Sequence, residues 1–249
     1  MLSKSNSKRI TGLLQKKCRK REGVFVAEGI KVINELLDSS FELEAIYGID
    51  GTALHLSKEN STSFTLITPA ELKKISFLKT PQTALALFKI PSEPTCKREG
   101  VTVLLDDVRD PGNLGTIIRL CDWFGVSSLI CSTQTVDCYN PKVVQATMGS
   151  LSRIPIVYTD ITTYLKEEQR PIYGTFMEGD TIYSSSLPQE AVIVMGNEAN
   201  GISKTIEQLV THKIAIPRFG QLQKTESLNV ATATAICLSE FKRGISIEK

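Results

Sequence analysis

The sequence predicts an α/β protein, in which a mostly parallel sheet is preceded by a small α+β unit. Two observations lead to this prediction. Residues 101–249 alternate short apolar strand patterns with helical patterns, which is typical of a parallel sheet. Residues 93–100 are rich in charge and contain a proline and a glycine, as linkers often do. We therefore expect domains at residues 1–92 and 101–249, joined by a linker at 93–100.

The elements of the first domain follow from apolar spacing. Ile10, Leu13, Leu14 and Lys17 recur at helical intervals and predict a helix over 9–20 with basic residues along one flank. A second helix is predicted over 29–37 and a third over 69–75, with Thr68 as its N-cap. Apolar segments predict strands at 24–27, 43–47, 64–67 and 84–88.

The second domain repeats a buried-strand theme. Residues 101–105 form a continuous apolar run, as in a strand that is buried on both faces. A glycine-bearing turn and a helix follow this run. Further strands are predicted at 128–131, 154–158, 172–176, 191–195 and 213–216, and further helices near 141–148, near 202–210 and from about 226 to 242.

Composition excludes several classes of protein. Hydrophobic residues make up 41% of the chain, enough for a core, yet no apolar run reaches the roughly 18 residues of a membrane span. The polar, basic N-terminus lacks the apolar region of a signal peptide, so we expect a cytoplasmic protein without a membrane association. Six cysteines without a Cys-x-x-Cys pair, and only two histidines, argue against disulfides and against a metal site.

The first 24 residues are strongly basic. Eight basic side chains face only Glu22 in this stretch: Lys4, Lys8, Arg9, Lys16, Lys17, Arg19, Lys20 and Arg21. Such a cluster can neutralise nucleic-acid phosphates and release their counterions. A solvated, frayed terminus explains the same pattern equally well.

Three polar segments follow predicted strands, where α/β sheets place their ligand sites. In the first, residues 106–119, Asn113 can cap the following helix. Arg119 lies about 140° round that helix from Leu114, outside the buried face. Arg119 can clamp a phosphate there, or it can pair with Asp106, Asp107 or Asp122.

In the second segment, residues 194–202, a buried strand ends at Gly196 and a polar loop leads into a helix. Gly196 would let a ligand approach the backbone, although an ordinary strand-to-helix turn has the same composition. The segment is neither a Walker loop nor a dinucleotide fingerprint. In the third, residues 214–236, Ser227 or Thr225 can cap the closing helix, with Asn229 as a second cap.

In their order and spacing, the three segments resemble the motifs of the SpoU (TrmH-like) branch of the SPOUT RNA 2′-O-ribose methyltransferases. The resemblance covers roughly residues 101–243, and residues 1–92 more loosely resemble the substrate-binding domain often fused ahead of it. The matching residues are Asn113, Gly115 and Arg119 in the first motif, Met195, Gly196, Glu198 and Gly201 in the second, and Ile216, Pro217, Ser227, Leu228, Asn229 and Val230 in the third.

The resemblance implies a parallel sheet with a C-terminal trefoil knot, assembled as a homodimer. It implies transfer of a methyl group from S-adenosyl-L-methionine to a ribose 2′-hydroxyl of structured RNA, without a metal. We favour 23S rRNA over tRNA because the additional domain can hold a structured site. The residues expected to contact RNA are Lys8, Arg9, Lys16, Lys17, Arg19, Lys20 and Arg21.

The resemblance also implies roles for single residues. The expected cofactor-binding residues are Met195, Gly196, Ile216, Pro217 and Leu228, and the expected catalytic residues are Asn113, Arg119, Glu198, Ser227 and Asn229. Because a guanidinium stays protonated, we expect Arg119 to hold the RNA phosphate and stabilise the forming alkoxide, not to act as a base. Asn113 and Glu198 would orient it.

One departure and two alternatives accompany this interpretation. The loop at 221–226 is longer than in many members of the branch, which bears on cofactor affinity. An RNA-binding relative without catalysis would share the fold, but the motif residues are all present. A base methyltransferase of another knotted branch would need a carboxylate base and different motif residues.

Overall fold

The computed structural model describes residues 2–58, 60–92, 94–184, 186–222 and 227–243. The chain divides into two compact units. The first unit is Met1–Ser92 together with Asp137–Arg153, and the second is Glu93–Val136 together with Ile154–Lys249. Residues 137–153, which the sequence assigns to the second domain, therefore cluster with the first unit.

The helices and strands alternate along most of the chain. The helices are α1 (Lys4–Gly12), α2 (Lys16–Glu22), α3 (Ile30–Leu37), α4 (Pro69–Ile75), α5 (Pro111–Trp123), α6 (Pro141–Thr147), α7 (Ile161–Lys166), α8 (Lys204–Glu207) and α9 (Val230–Lys242). The strands are β1 (Val24–Glu28), β2 (Leu43–Gly48), β3 (Phe64–Leu66), β4 (Ala84–Lys89), β5 (Val101–Leu105), β6 (Ser128–Ser132), β7 (Ile156–Thr159), β8 (Ile172–Thr181), β9 (Ala191–Met195) and β10 (His212–Ala215).

The first unit is built on a four-stranded sheet in the order β1-β4-β2-β3. Only the β2–β3 pair is parallel. On one face, Ile10 and Leu13 pack with Leu72 and Ile75, so that α1 and α4 cover the sheet. On the other face the ring of Phe25 lies 4.9 Å from the ring of Tyr139. This contact brings the segment 137–153 into the core of the unit.

The predicted helix over 9–20 is wrong, because the chain forms α1 and α2 with a break between them. The break leaves backbone carbonyls without helical partners, and the Arg19 guanidinium donates to the carbonyls of Leu13 at 2.7 Å and Leu14 at 2.9 Å. Arg19 also donates to Asp137 Oδ2 at 2.5 Å and is only 2% exposed. The prediction that Arg19 contacts RNA is therefore wrong, since its donors are used inside the protein.

The second unit is built on six parallel strands in the order β10-β8-β9-β5-β6-β7. β5 and β9, predicted with these bounds, lie side by side at its centre. Helix α5 packs against α9. The predicted parallel α/β sheet is thus confirmed for this part of the chain.

Three elements of this unit differ from prediction. The sequence did not predict α7, which begins after its cap Asp160. Strand β8 extends to Thr181, beyond its predicted end at 176. It pairs with β10 at residues 173–174 and again at 180–181, and residues 175–179 between them are unpaired with β10. Helix α9 begins at Val230, because Asn229 caps it through bonds from the backbone of Ala231 and Thr232. The predicted start near 226 lies outside the described residues.

The described helices include none with the length and hydropathy of a membrane span. All six cysteines lie in the described residues and none forms a disulfide, and Cys121, Cys131, Cys138 and Cys237 are buried. Burial raises the pKa of the Cys121, Cys131 and Cys237 thiols, which keeps these thiols protonated and unreactive.

Candidate active site

The first and second motifs meet at the carboxyl ends of β5 and β9. The backbone N–H of Asp106 donates to the Met195 carbonyl at 2.9 Å, and Asp106 Oδ2 accepts from the backbone of Ser203 at 2.8 Å. Asn197 Nδ2 donates to the Asp107 carbonyl at 2.6 Å. These hydrogen bonds connect the loop after β5 to the loop after β9. The sequence did not predict this role of Asn197, whose loop has the composition of an ordinary strand-to-helix turn.

Asp107 anchors the first loop in a strained conformation. Its φ of 63° is in the left-handed region, which an aspartate tolerates better than most residues. Its backbone N–H donates to Ser132 Oγ at 3.0 Å, and its carboxylate binds Arg109 at 2.8 Å. A hydrogen bond from Arg109 to this carboxylate raises the pKa of the guanidinium. Asp107 is therefore not the partner of Arg119.

Gly196 is required by the path of the chain itself. A Cβ at this position would lie 2.3 Å from the carbonyl carbon of Gly201. The loop folds back so that Asn197 and Gly201 exchange two backbone hydrogen bonds of 2.9 Å. The close approach expected of a ligand is thus made by the loop's own backbone, and no side chain fits there.

Three of the five predicted catalytic residues form one hydrogen-bonded chain. Asn229 Nδ2 donates to Asn113 Oδ1 at 2.9 Å, and Asn113 Nδ2 donates to Glu198 Oε1 at 2.9 Å. The backbone donors at the start of α9 fix Asn229 Oδ1 as an acceptor, so both amides have a defined orientation. The motifs of β5, β9 and α9 therefore converge on the Glu198 carboxylate.

The other two predicted catalytic residues lie outside this chain of bonds. Arg119 is exposed on α5, about 9 Å along the axis from Asn113, and has no ion pair or hydrogen bond with a described residue. Asn113 and Glu198 hold each other and do not contact Arg119. Ser227 is exposed and does not cap α9, so the predicted cap is wrong.

A cavity of 1660 Å³ opens beside Glu198. Its wall contains all five predicted cofactor-binding residues together with Glu198 and Ser227. Asn113, Arg119 and Asn229 are not part of the wall. The wall exposes more apolar than polar surface and also carries charged side chains, a mixture typical of small-molecule sites.

One wall of the cavity was not predicted. The five residues that leave the pairing of β8 with β10 bring Thr175, Phe176, Met177 and Glu178 to the cavity. The Lys213 ammonium lies 4.9 Å from the centre of the Phe176 ring and pairs with Glu207 at 2.5 Å. A register shift of this kind has no signal in hydrophobic periodicity.

The basic residues of the first unit divide into two groups. Arg9 pairs with Glu22 at 3.2 Å and with Glu44 at 2.6 Å, and Arg21 pairs with Glu22 at 2.8 Å. The hydrogen bond that Arg9 donates to Glu44 is the largest effect on the pKa of Arg9, and it raises that pKa. The remaining predicted RNA contacts are exposed lysines: Lys8, Lys16, Lys17 and Lys20.

Within the described ranges, no group of three or more histidine, cysteine, aspartate or glutamate side chains has the arrangement of a metal site.

Two family models match the chain. The SpoU rRNA Methylase family matches residues 100–239, and the MRM3-like substrate binding domain matches residues 4–86. The 23S rRNA (guanosine(2553)-2′-O)-methyltransferase RlmP of Bacillus subtilis is 30% identical over 231 residues, which cover 91% of this chain and 92% of that protein.

Solved structures agree with these matches. A TrmH-family protein from Porphyromonas gingivalis superposes with a TM-score of 0.88 at 36% identity, covering 98% of this chain and 99% of its own. An rRNA methyltransferase from Sinorhizobium meliloti, solved with AdoMet bound, superposes with a TM-score of 0.87 at 28% identity. The match covers 99% of this chain and 98% of that protein.

Proposed function

The chain belongs to the SpoU rRNA methylase family, and we propose that it transfers a methyl group from S-adenosyl-L-methionine to a ribose 2′-hydroxyl of 23S rRNA. The hydrogen-bonded chain from Asn229 through Asn113 to Glu198, at the edge of a 1660 Å³ cavity, is the observation that supports this proposal most directly. All three motifs of the family contribute to it.

The cavity fits the cofactor. Its volume is larger than the roughly 300–1,000 Å³ of ordinary small-molecule sites and accommodates a nucleoside with an amino-acid tail. Three carboxylates and two cations line it, and one cation, Lys213, is paired with the carboxylate of Glu207. The carboxylates of Glu178 and Glu198 would favour a positively charged group. We propose that Met195, Gly196, Ile216, Pro217 and Leu228 hold the cofactor, which supplies a methyl group activated by a positive sulfonium.

The residues of the protein act on the other reactant. The ribose 2′-oxygen would form a bond to the methyl carbon as the bond from that carbon to sulfur breaks, and the hydroxyl proton would pass to water. Arg119 has no carboxylate partner among the described residues, so its guanidinium would hold the RNA phosphate next to that ribose and stabilise the developing negative charge. The network of Asn229, Asn113 and Glu198 would fix the reacting groups in line, and positioning alone lowers such barriers by several kcal/mol. Ser227 would contribute its hydroxyl to the lining of the cavity.

The first unit would bind the RNA. Its match to a substrate-binding domain and its exposed lysines support this role. The similarity to the 23S rRNA methyltransferase RlmP of Bacillus subtilis, which extends over 91% of this chain, favours 23S rRNA over tRNA as the substrate. An rRNA substrate in turn implies a cytoplasmic location.

We also propose a homodimer whose second unit carries a C-terminal trefoil knot. The packing of α9 on α5, together with the strand order of the sheet, is compatible with the knotted architecture of this family. Trp123, at the end of α5, is 85% exposed, and exposed aromatic residues are typical of interfaces. The partner subunit would cover this residue.

Ribose-methylation mapping of total RNA tests the proposal. RNA from cells with and without the gene is compared, and we expect one 2′-O-methylated position in 23S rRNA to disappear in the deletion strain. Expression of the wild-type gene should restore the position, whereas the Arg119→Ala gene should not. Loss of a methylated position in tRNA would instead identify tRNA as the substrate. An unchanged methylation map, together with no cofactor binding by calorimetry, would support a protein that binds RNA without catalysis.

A further inference from the structure

A buried carboxylate ties the turn after α4 to the end of β1. Glu28, 5% exposed, accepts hydrogen bonds from Ser76 Oγ at 2.6 Å and from the Phe77 backbone at 2.7 Å. Gly29 follows with a φ of 84°, and a Cβ there would lie 3.4 Å from Gln82 Cγ. The end of β1, the start of α3, the end of α4 and the turn at residues 76–83 therefore lie together.

Four exposed lysines belong to these segments, and we call them the basic strip: Lys31, Lys73, Lys74 and Lys79. None of them forms a salt bridge with a described residue, whereas Lys89 of the same unit pairs with Glu42. Glu28, the carboxylate at the centre of these segments, is buried and engaged by its two donors. The other carboxylate of these segments, Glu71, accepts from the backbones of Leu2 and Thr68. The strip therefore has an excess of positive charge, with four lysines against Glu71 and the buried Glu28.

The basic strip continues the surface of α1. The backbone N–H of Leu2 donates to Glu71 Oε1 at 2.9 Å, and α1 packs along α4 through a shared core. The exposed Lys4 and Lys8 of α1 thus lie on the helix next to Lys73 and Lys74. Two groups of lysines that are far apart in the sequence therefore lie on adjacent helices.

The strip has the chemistry of a phosphate-binding surface. Lysine is a mobile point charge that accepts phosphates at variable positions. A protein partner would require an apolar centre for its interface, yet residues 69–83 and 28–31 contribute none of the exposed large hydrophobic side chains. We infer that the basic strip binds the phosphate backbone of the RNA substrate and extends the contact of α1 across α4. This inference rests on the proposed function.

Binding of purified 23S rRNA from cells without the gene tests the inference. The variant K73Q/K74Q is compared with wild type and with K89Q/K166Q, which removes the same charge elsewhere. We expect K73Q/K74Q to raise the Kd for this RNA about tenfold and to lower the slope of log Kd against log salt by about 1.4. The control should change neither, and cofactor affinity and Tm should match wild type in both variants.

The outcomes separate the inference from the proposed function. Equal Kd values and salt slopes for wild type and K73Q/K74Q would overturn the role of the strip, as would an equal effect in K89Q/K166Q. A failure of wild type to methylate this RNA would instead contradict the proposed function, and the binding comparison would still be readable. A rise in KM for RNA without a fall in kcat is the expected kinetic counterpart.

Discussion

Arg119 differs from Arg19, Arg109 and Arg170 in its lack of a carboxylate partner among the described residues. Arg19, Arg109 and Arg170 have carboxylate partners, of which the one beside Arg170 is Glu168 at 2.8 Å. In that buried pair burial opposes ionisation of the carboxyl, but hydrogen bonds from Arg170 lower the pKa of Glu168 to about 2. Arg119 has no such partner among the described residues, so its charge is available for a substrate phosphate.

Replacement of Arg119 should therefore affect chemistry and not folding. We expect Arg119→Ala to lower methyl transfer by about 100-fold or more, since it removes a donor that acts on developing charge. Cofactor affinity by calorimetry and Tm should remain those of wild type. Arg119→Lys should recover only part of the activity, because an ammonium lacks the planar fork. Arg98→Ala, at an exposed arginine that pairs with Glu167, serves as the control. Near wild-type turnover in Arg119→Ala would contradict the assignment.

At the scale of the element, Asn229 serves both a helix and the site. Its Oδ1 caps α9, and its Nδ2 holds Asn113. Asn229→Asp keeps the acceptor and adds a favourable charge at the helix N-terminus, but it removes the donor. Asn229→Ala removes both.

The two variants of Asn229 should separate these roles. We expect Asn229→Asp to keep the wild-type free energy of unfolding but to lose about tenfold in kcat/KM, the equivalent of one hydrogen bond. Asn229→Ala should lose similar activity and about 1 kcal/mol of stability in urea unfolding. Full activity in Asn229→Asp would argue that the link to Asn113 has no part in catalysis.

The sequence predicted elements best where apolar periodicity alone determines them. β5, β9 and α4 have the predicted bounds, because a buried run or a cap such as Thr68 leaves one solution. The predicted helix over 9–20 failed because the backbone becomes extended at Gln15, and the buried Arg19 guanidinium binds the carbonyls of Leu13 and Leu14 beside this break. The contacts of Asn197 and the displaced residues 175–179 depend on neighbouring strands, which periodicity does not reveal.

At the scale of the whole molecule, the exposed Trp123 bears on assembly. If a second copy covers this side chain, removal of its apolar surface should weaken the dimer. We expect Trp123→Lys to shift sedimentation velocity from a dimer to a monomer at micromolar concentration, with an unchanged far-UV circular dichroism spectrum and a Tm that falls only by the lost contribution of association. Leu66→Lys, at a residue 64% exposed in the first unit, provides the control. A wild-type monomer, or a dimer that persists in Trp123→Lys, would contradict the proposed interface.

The participation of Asp137–Arg153 in the first unit has a consequence for how the protein is made. During synthesis the first unit lacks the partner of Arg19 and the ring beside Phe25 until residues 137 and 139 have been translated. Its core cannot close as an N-terminal domain finished ahead of the rest. A nascent chain that ends near residue 92 would lack the carboxylate partner of Arg19 and the ring beside Phe25, so the first unit is complete only after residue 153 has been translated.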